Sequence, residues 1–104
     1  MRGEVYRLNA PRDRRGSEQD GSRYGVVVQN DDLYLSTWLV SPTSASARPA
    51  TFRPEIEIAG RGTRVLTEQT AAVDPSRLGE QVGYLSFDEL RQVDAALRLV
   101  LALT

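Results

Sequence analysis

The spacing of the apolar residues changes once along the chain. Between residues 4 and 85 they form short runs or alternate with polar residues, as is typical of β-strands separated by turns. Beyond residue 86 they recur three and four positions apart, which indicates an amphipathic helix. The pattern therefore predicts a mainly β, α+β fold, in which a small curled antiparallel sheet or barrel is followed by one C-terminal helix.

Several segments are predicted as strands. Tyr24–Gln29 is apolar without alternation, which predicts burial on both faces. In the segment 52–58 apolar and charged residues alternate, and Pro54 cannot donate to a neighbouring strand, which favours an edge position. We expect the third strand to end at Pro42, and Gly60–Gly62 to form a turn. The predicted strands are Glu4–Asn9, Tyr24–Gln29, Thr37–Ser41, Phe52–Ile58, Thr63–Gln69 and Val82–Leu85.

Two connections carry signals of their own. The longest, Ala10–Ser22, is polar and contains one proline and two glycines. A loop of this length in a small domain is usually functional or disordered. Arg23 stands where this loop meets the buried strand, an arrangement suited to binding an anion. A later connection begins with Asp74 and Pro75, which fit the N-cap and first position of a short helix over 74–78.

The C-terminal helix has the clearest signals. Ser86 and Glu89 have the spacing of a capping box at its start. Leu99 and Leu103 lie off its apolar stripe, which predicts that the end of the helix is buried against a second subunit or deep in the sheet. The stripe itself consists of Leu90, Val93, Leu97, Val100 and Leu101.

Composition excludes several kinds of site. The 104 residues, taken as a single domain spanning 1–104, are enough for one modest core. The chain contains neither cysteine nor histidine, which excludes disulfides, thiolate metal sites and imidazole chemistry. Because no acidic cluster has metal-ligand spacing either, we expect neither a metal nor a cofactor. No apolar run is long enough to span a membrane and no signal peptide is visible, so a cytoplasmic protein is expected.

The charged residues are unusual in kind. All 13 basic residues are arginines, and the formal net charge is −1. This net charge does not indicate nucleic-acid binding, but six arginines fall within residues 1–23, where they predict either a local basic face or a solvated loop of mixed charge. Each arginine is a permanently charged fork that suits phosphate.

A series of motifs, in order along almost the whole chain, resembles the MazF/PemK toxins. The tetrapeptide Gly16–Gln19 is followed by Arg23 and by the strand end Val26–Asp31. The specificity lies in the combination and order of the motifs rather than in any single one. The further matching segments are Arg2–Tyr6, Leu66–Gln69, Val73–Gly79 and Val93–Leu97.

The resemblance implies an SH3-like β-barrel of the CcdB/PemK type with a short helix and a C-terminal helix, usually assembled as a homodimer. It implies the toxin of a type II toxin–antitoxin system, a sequence-specific, ribosome-independent endoribonuclease. Such enzymes cut single-stranded RNA (mRNA, tRNA or rRNA) by 2′-hydroxyl attack, leaving 2′,3′-cyclic phosphate and 5′-hydroxyl ends without a metal. The implied partners are RNA and a cognate MazE-like antitoxin, and the toxin–antitoxin complex would bind operator DNA.

The resemblance also implies roles for particular residues. Arg23 matches a catalytic arginine, although Tyr24 stands where the family usually has proline. The active hydroxyl matches Ser44, and its neighbour Thr43 stays open as an alternative. Glu18 would take the proton of the 2′-hydroxyl. The candidate catalytic residues are thus Arg23, Ser44, Glu18 and Thr43, and the candidate RNA-binding residues are Ser17, Gln19, Glu68 and Gln69.

A second interpretation is a CcdB-like, non-catalytic toxin that binds and poisons DNA gyrase, since those toxins share the fold class in outline. Gly16–Gln19 together with Arg23 favours the nuclease. The absence of histidine, and Ala71 where the family usually has an arginine, leave the gyrase-binding interpretation open.

Overall fold

The computed structural model describes residues 1–9 and 23–103. Within them seven strands form a curled sheet, followed by the helix α1 at Phe87–Leu101. Short 3-10 helices occupy Thr67–Gln69 and Pro75–Arg77. The strands are β1 (Glu4–Leu8), β2 (Arg23–Val27), β3 (Trp38–Ser44), β4 (Glu55–Ile58), β5 (Arg61–Val65), β6 (Ala71–Val73) and β7 (Leu78–Tyr84).

Strand β3 is paired along both of its edges. The sheet is antiparallel in the order β4-β5-β3-β2-β1-β7, and β6 also pairs with β3. On the edge opposite β2, β6 pairs with Trp38–Val40 and β5 pairs with Thr43 and Ser44. This change of partner along one edge curls the sheet into a half-barrel. The predicted mainly β, α+β architecture with one C-terminal helix is confirmed.

The core is built largely of valines, and β2 lies at its centre. Val26, Val27 and Val28 are all buried, which confirms the predicted burial of this segment on both faces. Gly25 allows β2 to approach β3 closely, because a Cβ atom on it would lie 2.5 Å from Val40 Cγ1. The core cluster comprises Val5, Val26, Val28, Ile56, Ile58, Val65 and Val93.

Helix α1 begins as predicted. The Glu89 amide donates to Ser86 Oγ over 3.1 Å, and the Ser86 amide donates to the Glu89 carboxylate over 2.8 Å, so the capping box is confirmed. Val93 and Ala96 are the buried positions of the helix. Among the described residues, no helix is long and apolar enough to span a membrane.

The end of α1 leaves apolar side chains in solvent. Leu99, Leu101 and Leu103 are 56%, 60% and 58% exposed. The prediction that Leu101 belongs to the packed stripe is wrong, because a position eight residues after Val93 is turned by roughly 80° from it. The exposure of Leu99 and Leu103 also rules out their burial deep in the sheet of this chain, and burial against a second subunit stays a prediction.

Two predicted boundaries are wrong, each for its own reason. β3 continues through Pro42 to Ser44, because the Pro42 carbonyl alone is used, accepting from the Leu66 amide over 2.8 Å. The turn between β4 and β5 is Ala59–Gly60 rather than Gly60–Gly62. Both of its residues have positive φ, 53° and 79°, as two-residue hairpin turns of the mirror-image type require.

The remaining boundaries are mixed. β4 lies at the edge of the sheet, as Pro54 predicts, but begins only after it. The Asp74 side chain accepts from the Ser76 amide over 2.9 Å at the start of the predicted short helix, which is a 3-10 helix. β6 is missing from the sequence prediction, and β7 is longer than the predicted Val82–Leu85. The predicted loop Ala10–Ser22 lies outside the described residues.

Candidate active site

A cavity of about 740 Å³ opens where β2 begins, β3 ends and the β4–β5 hairpin turns back. Its volume lies in the range of small-ligand pockets. Two arginines and four serine or threonine residues line it, together with Tyr24 and a few small or apolar residues. The arginines are Arg23 and Arg61, and the serine and threonine residues are Thr43, Ser44, Ser46 and Thr63.

The strand register brings Arg23 and Ser44 together. Gly25 pairs with Pro42 in the antiparallel β2–β3 ladder. Continuing this register by two residues places Arg23 opposite Ser44, with both side chains on the same face of the sheet. Arg23 is itself the first residue of β2, where it pairs with Leu8, rather than the residue before the strand. Its backbone is therefore fixed, while its side chain remains exposed.

The two candidate hydroxyls differ in their hydrogen bonds. Thr43 is buried, and its hydroxyl donates to the backbone carbonyl of Tyr24 over 3.2 Å. Ser44 is half-buried, and its hydroxyl oxygen accepts from the Ser46 amide over 3.3 Å. Thr43 thus uses its proton within the fold. The Ser44 proton can be donated to a ligand or to the Ser46 hydroxyl, which lies 3.3 Å away.

The electrostatics of the cavity favour an anion. Of the described residues that line it, none is an aspartate or a glutamate. Within residues 1–9 and 23–103, neither the Arg23 nor the Arg61 side chain has a hydrogen-bond or ion-pair partner. Two positive charges that face a shared space without a counter-charge are a site for phosphate or carboxylate groups.

Arg61 is a charged lining residue that sequence reasoning missed, because it was placed in a turn. It pairs with Ile58 at the start of β5, so the two side chains share a face. Ile58 is buried, and Thr63 and Val65 continue the buried face along β5. The alternation of Arg61, Thr63 and Val65 was the available signal, since it puts a charged residue at an inward-facing position.

Glu68 and Gln69 are not among the residues that line the cavity. They belong to the 3-10 helix Thr67–Gln69, so their predicted place in a strand is wrong: β5 ends at Val65. One Glu68 carboxylate oxygen accepts from two nitrogens of Arg53, over 2.6 and 3.0 Å. These hydrogen bonds hold the pKa of Glu68 below its usual value.

Three predicted residues, Ser17, Glu18 and Gln19, lie outside the described residues. Their roles stay predictions. In the described part of the chain, no group of three or more histidine, cysteine, aspartate or glutamate side chains could hold a metal ion.

Comparison with known proteins supplies the family. Residues 1–101 match the model of the PemK-like, MazF-like toxins of type II toxin–antitoxin systems. The chain belongs to this PemK/MazF-like toxin family. A Mycobacterium tuberculosis (strain H37Rv) protein named as a toxin is 40% identical over 104 residues, which cover 99% of this chain and 98% of that protein.

Solved PemK/MazF-like structures share the fold. An endoribonuclease in complex with its cognate antitoxin, from a mycobacterial species, superposes with a TM-score of 0.79 at 17% identity, covering 100% of this chain and 96% of the other. MazF from Deinococcus radiodurans gives a TM-score of 0.75 at 24% identity, covering 97% and 94%. At these identities the likeness establishes the fold.

Proposed function

We propose that this PemK/MazF-like toxin is a sequence-specific, ribosome-independent endoribonuclease that cuts single-stranded RNA. The observation that carries the proposal is the cavity lined by Arg23 and Ser44, which are neighbours in the β2–β3 register, with no carboxylate among its described lining residues. RNA brings its own nucleophile, the 2′-hydroxyl. The protein therefore has to supply a base, a proton donor and stabilisation of the anionic phosphoryl group, and it needs neither a metal nor a covalent nucleophile.

The roles divide among three residues. Arg23 binds the non-bridging phosphoryl oxygens, where negative charge builds up as the 2′-oxygen attacks phosphorus. Ser44, whose oxygen accepts from the Ser46 amide, donates a hydrogen bond to one of the same oxygens. Glu18 removes the 2′-hydroxyl proton, as predicted from the sequence. The bond from phosphorus to the 5′-oxygen then breaks, and that oxygen takes a proton from water while Glu18 returns the proton it accepted to solvent, giving a 2′,3′-cyclic phosphate and a 5′-hydroxyl.

Further RNA contacts are proposed outside the cavity. Ser17 and Gln19 flank the proposed base, and Glu68 and Gln69 lie in a 3-10 helix beyond the end of β5. Because Glu68 already accepts from Arg53, RNA contacts there would come from the Gln69 amide or from the helix backbone.

The partners follow from the family and from its solved members. One similar structure is named as an endoribonuclease in complex with its cognate antitoxin. We propose that a MazE-like antitoxin neutralises this chain by covering Arg23, that the toxin acts as a homodimer, and that the toxin–antitoxin complex binds operator DNA. Competition between the antitoxin and an uncleavable RNA tests the first point, since simultaneous tight binding of both would exclude a shared groove.

One experiment separates the enzyme from the binding toxin. The purified chain is incubated with a long single-stranded RNA in the presence of EDTA, and the new ends are mapped and chemically identified. Cleavage at defined sequences, with cyclic phosphate ends and no response to magnesium, is expected. Intact RNA combined with inhibition of purified DNA gyrase would favour the CcdB-like alternative.

A further inference from the structure

Beyond the residues assigned to the reaction, the cavity contains a second polar group on β5. It consists of Arg61 and Thr63, which are two residues apart and therefore lie on the same face of the strand. From it we infer that Arg61 and Thr63 bind a phosphate next to the scissile one. This inference rests on the proposed RNA cleavage for its substrate, and it adds a second phosphate subsite to the cavity.

The first argument is the position of Arg61. It pairs with the buried Ile58, so its side chain starts from the same face as the core residues of β4, but the residue itself is exposed and lines the cavity. Its guanidinium has no partner among the described residues. Glu55, on the neighbouring strand, forms an ion pair with Arg64 instead. An exposed arginine at a cavity wall, without a counter-charge among the described residues, fits an anionic ligand.

The second argument, independent of the first, is the hydroxyl of Thr63. Thr63 is only 9% exposed and lines the cavity. In the described part of the chain its hydroxyl has no hydrogen-bond partner. Buried hydroxyls are nearly always hydrogen-bonded, so an unpartnered one at a cavity wall marks a place where a ligand atom supplies the missing bond.

The third argument is the separation of this group from Arg23. In the sheet, β5 and β2 lie on opposite sides of β3, so they are two strand spacings apart, roughly 10 Å. Ser44 pairs with Arg64, and Arg61 lies three residues further along β5, which adds roughly 10 Å along the strand. Because Arg61 alternates with Arg64, it starts from the face of the sheet opposite to that of Arg23 and Ser44, and the two arginines line the cavity from different sides. Single-stranded RNA, with one phosphate on each nucleotide, can engage both.

The β4–β5 turn makes the second subsite rigid. Ala59 and Gly60 both have positive φ, the geometry of the tight two-residue hairpin, and Arg61 follows immediately. A short turn of this type leaves the tip little conformational freedom. The position of the Arg61 backbone is therefore set before RNA arrives, which favours binding because less entropy is lost.

The test combines protein and substrate changes. Once the cut site is mapped, a short RNA around it is made with a neutral methylphosphonate at either flanking linkage. For the wild type, neutralising one of these linkages should lower kcat/KM about 10- to 100-fold, as expected for a hydrogen bond to a charged group. R61A should lower it similarly with the normal RNA, and should cause no further loss with that methylphosphonate RNA. T63V, which keeps the branched shape, should show the same pattern more weakly.

The matched control is R91A, which removes an equal charge from the exposed surface of α1, where Arg91 lies over the Phe87 ring. Its effect should be small and independent of the methylphosphonate. The logarithm of the RNA association constant decreases with the logarithm of the salt concentration. This slope should become less steep by about 0.7 in R61A and stay unchanged in R91A. If the loss of kcat/KM caused by R61A multiplied with the loss caused by each of the two methylphosphonates, the inference would be overturned. An unchanged kcat/KM in R61A would also overturn it.

A binding arm separates this inference from the proposed cleavage. Random-sequence 2′-O-methyl oligonucleotides, which lack the nucleophile, are prepared with one to four phosphates. The wild type should bind the oligonucleotide with two phosphates more tightly than the one with a single phosphate. R61A should bind the two with similar affinity. If the wild type cuts no RNA, but its affinity rises with the second phosphate and that of R61A does not, the subsite stands and the proposed nuclease fails. If the wild type cuts RNA but neither arm depends on Arg61, the subsite fails and the nuclease stands.

Discussion

The Thr43 hydroxyl donates a hydrogen bond to the backbone carbonyl of Tyr24 over 3.2 Å, tying the end of β3 to the start of β2. This bond lies between the two residues on which the proposed reaction depends, since Arg23 precedes Tyr24 and Ser44 follows Thr43. Thr43 and Ser44, neighbours with the same functional group, are therefore expected to fail in different ways.

Replacing Ser44 with alanine should reduce turnover while leaving stability almost unchanged, because its proton is not used by a buried acceptor. A donated hydrogen bond to a developing charge corresponds to about 10- to 100-fold in rate. Thr43→Val should instead lower the free energy of unfolding by about 1–3 kcal/mol, since the Tyr24 carbonyl loses its donor. Single-turnover cleavage and urea denaturation of both variants check this.

If Thr43→Val were fully stable and inactive, and Ser44→Ala fully active, the assignment of the two hydroxyls would have to be exchanged. Thr43→Ser is the control, because it restores the hydroxyl without the methyl group and should recover most of the lost stability.

Arg23→Ala should abolish cleavage without unfolding the protein. The side chain is exposed and has no partner among residues 1–9 and 23–103, so the fold loses little. A fixed donor aimed at the phosphoryl oxygens contributes about 10²–10³ in rate. Arg23→Lys should recover only part of this, because an ammonium group cannot make the bidentate contact. The measurement is single-turnover cleavage of a short fluorogenic RNA containing the mapped site.

The charge-matched comparison for that experiment is again Arg91→Ala, which should cleave at close to the wild-type rate. Near-wild-type turnover by folded Arg23→Ala would remove Arg23 from the active site and favour the gyrase-binding alternative.

The local signals in the sequence were sufficient where a structure depends on residues close in the chain. The capping box of Ser86 and Glu89 and the cap at Asp74 each involve residues at most three positions apart, and the structure has them as predicted. The burial of β2 also follows from its composition alone.

The signals were insufficient where register decides. A turn at Gly60–Gly62 would pair Ala59 with Thr63, whereas Ile58 pairs with Arg61, and this difference exchanges the two faces of β5. The wrong turn thus concealed that Arg61 shares a face with Thr63 and Val65. The position of Glu68 failed for a related reason: the end of β5 is set by tertiary contacts, among them the Leu66 amide donating to Pro42, and no local pattern reports them.

Substituting Leu99 or Leu103 with glutamate should weaken self-association. Both leucines are more than half exposed in the single chain, and burying a leucine contributes about 1.5–3 kcal/mol, so the dimer dissociation constant should rise at least tenfold. Sedimentation velocity over a concentration series measures it.

Thr51→Glu, a substitution at an exposed loop position, adds the same charge away from α1 and should leave the dimer intact. A wild-type chain that sediments as a monomer at micromolar concentration would contradict the proposed homodimer.

Stability should depend on pH through Glu68. Hydrogen bonds from Arg53 hold its pKa in the folded state below the value of 4.5 that applies to an unconstrained glutamate. A lowered folded-state pKa stabilises the protein above 4.5, and this contribution is lost as the pH falls through the folded value. The wild type should therefore unfold at a higher temperature than Glu68→Gln near pH 7, and the difference should shrink at acidic pH.

Glu80→Gln on β7 is the control for this measurement, since that exposed carboxylate has no hydrogen-bond partner within the described ranges. Thermal unfolding of the three proteins between pH 3 and pH 7 gives the comparison. If the unfolding temperatures of wild type and Glu68→Gln differed by the same amount at every pH, the charge of Glu68 beside Arg53 would not contribute to stability.

The close contact at Gly25 has a consequence for how inactivating mutations are distributed. Because a Cβ atom there would lie 2.5 Å from Val40 Cγ1, any larger residue forces β2 and β3 apart two positions from Arg23. A residue without a side chain thus allows the close approach of the two strands that carry the arginine and the serine. Selection for cells that survive the toxin should therefore recover changes at Gly25 alongside those at Arg23, and such variants would still be assembled but would hold their reactive groups at the wrong separation.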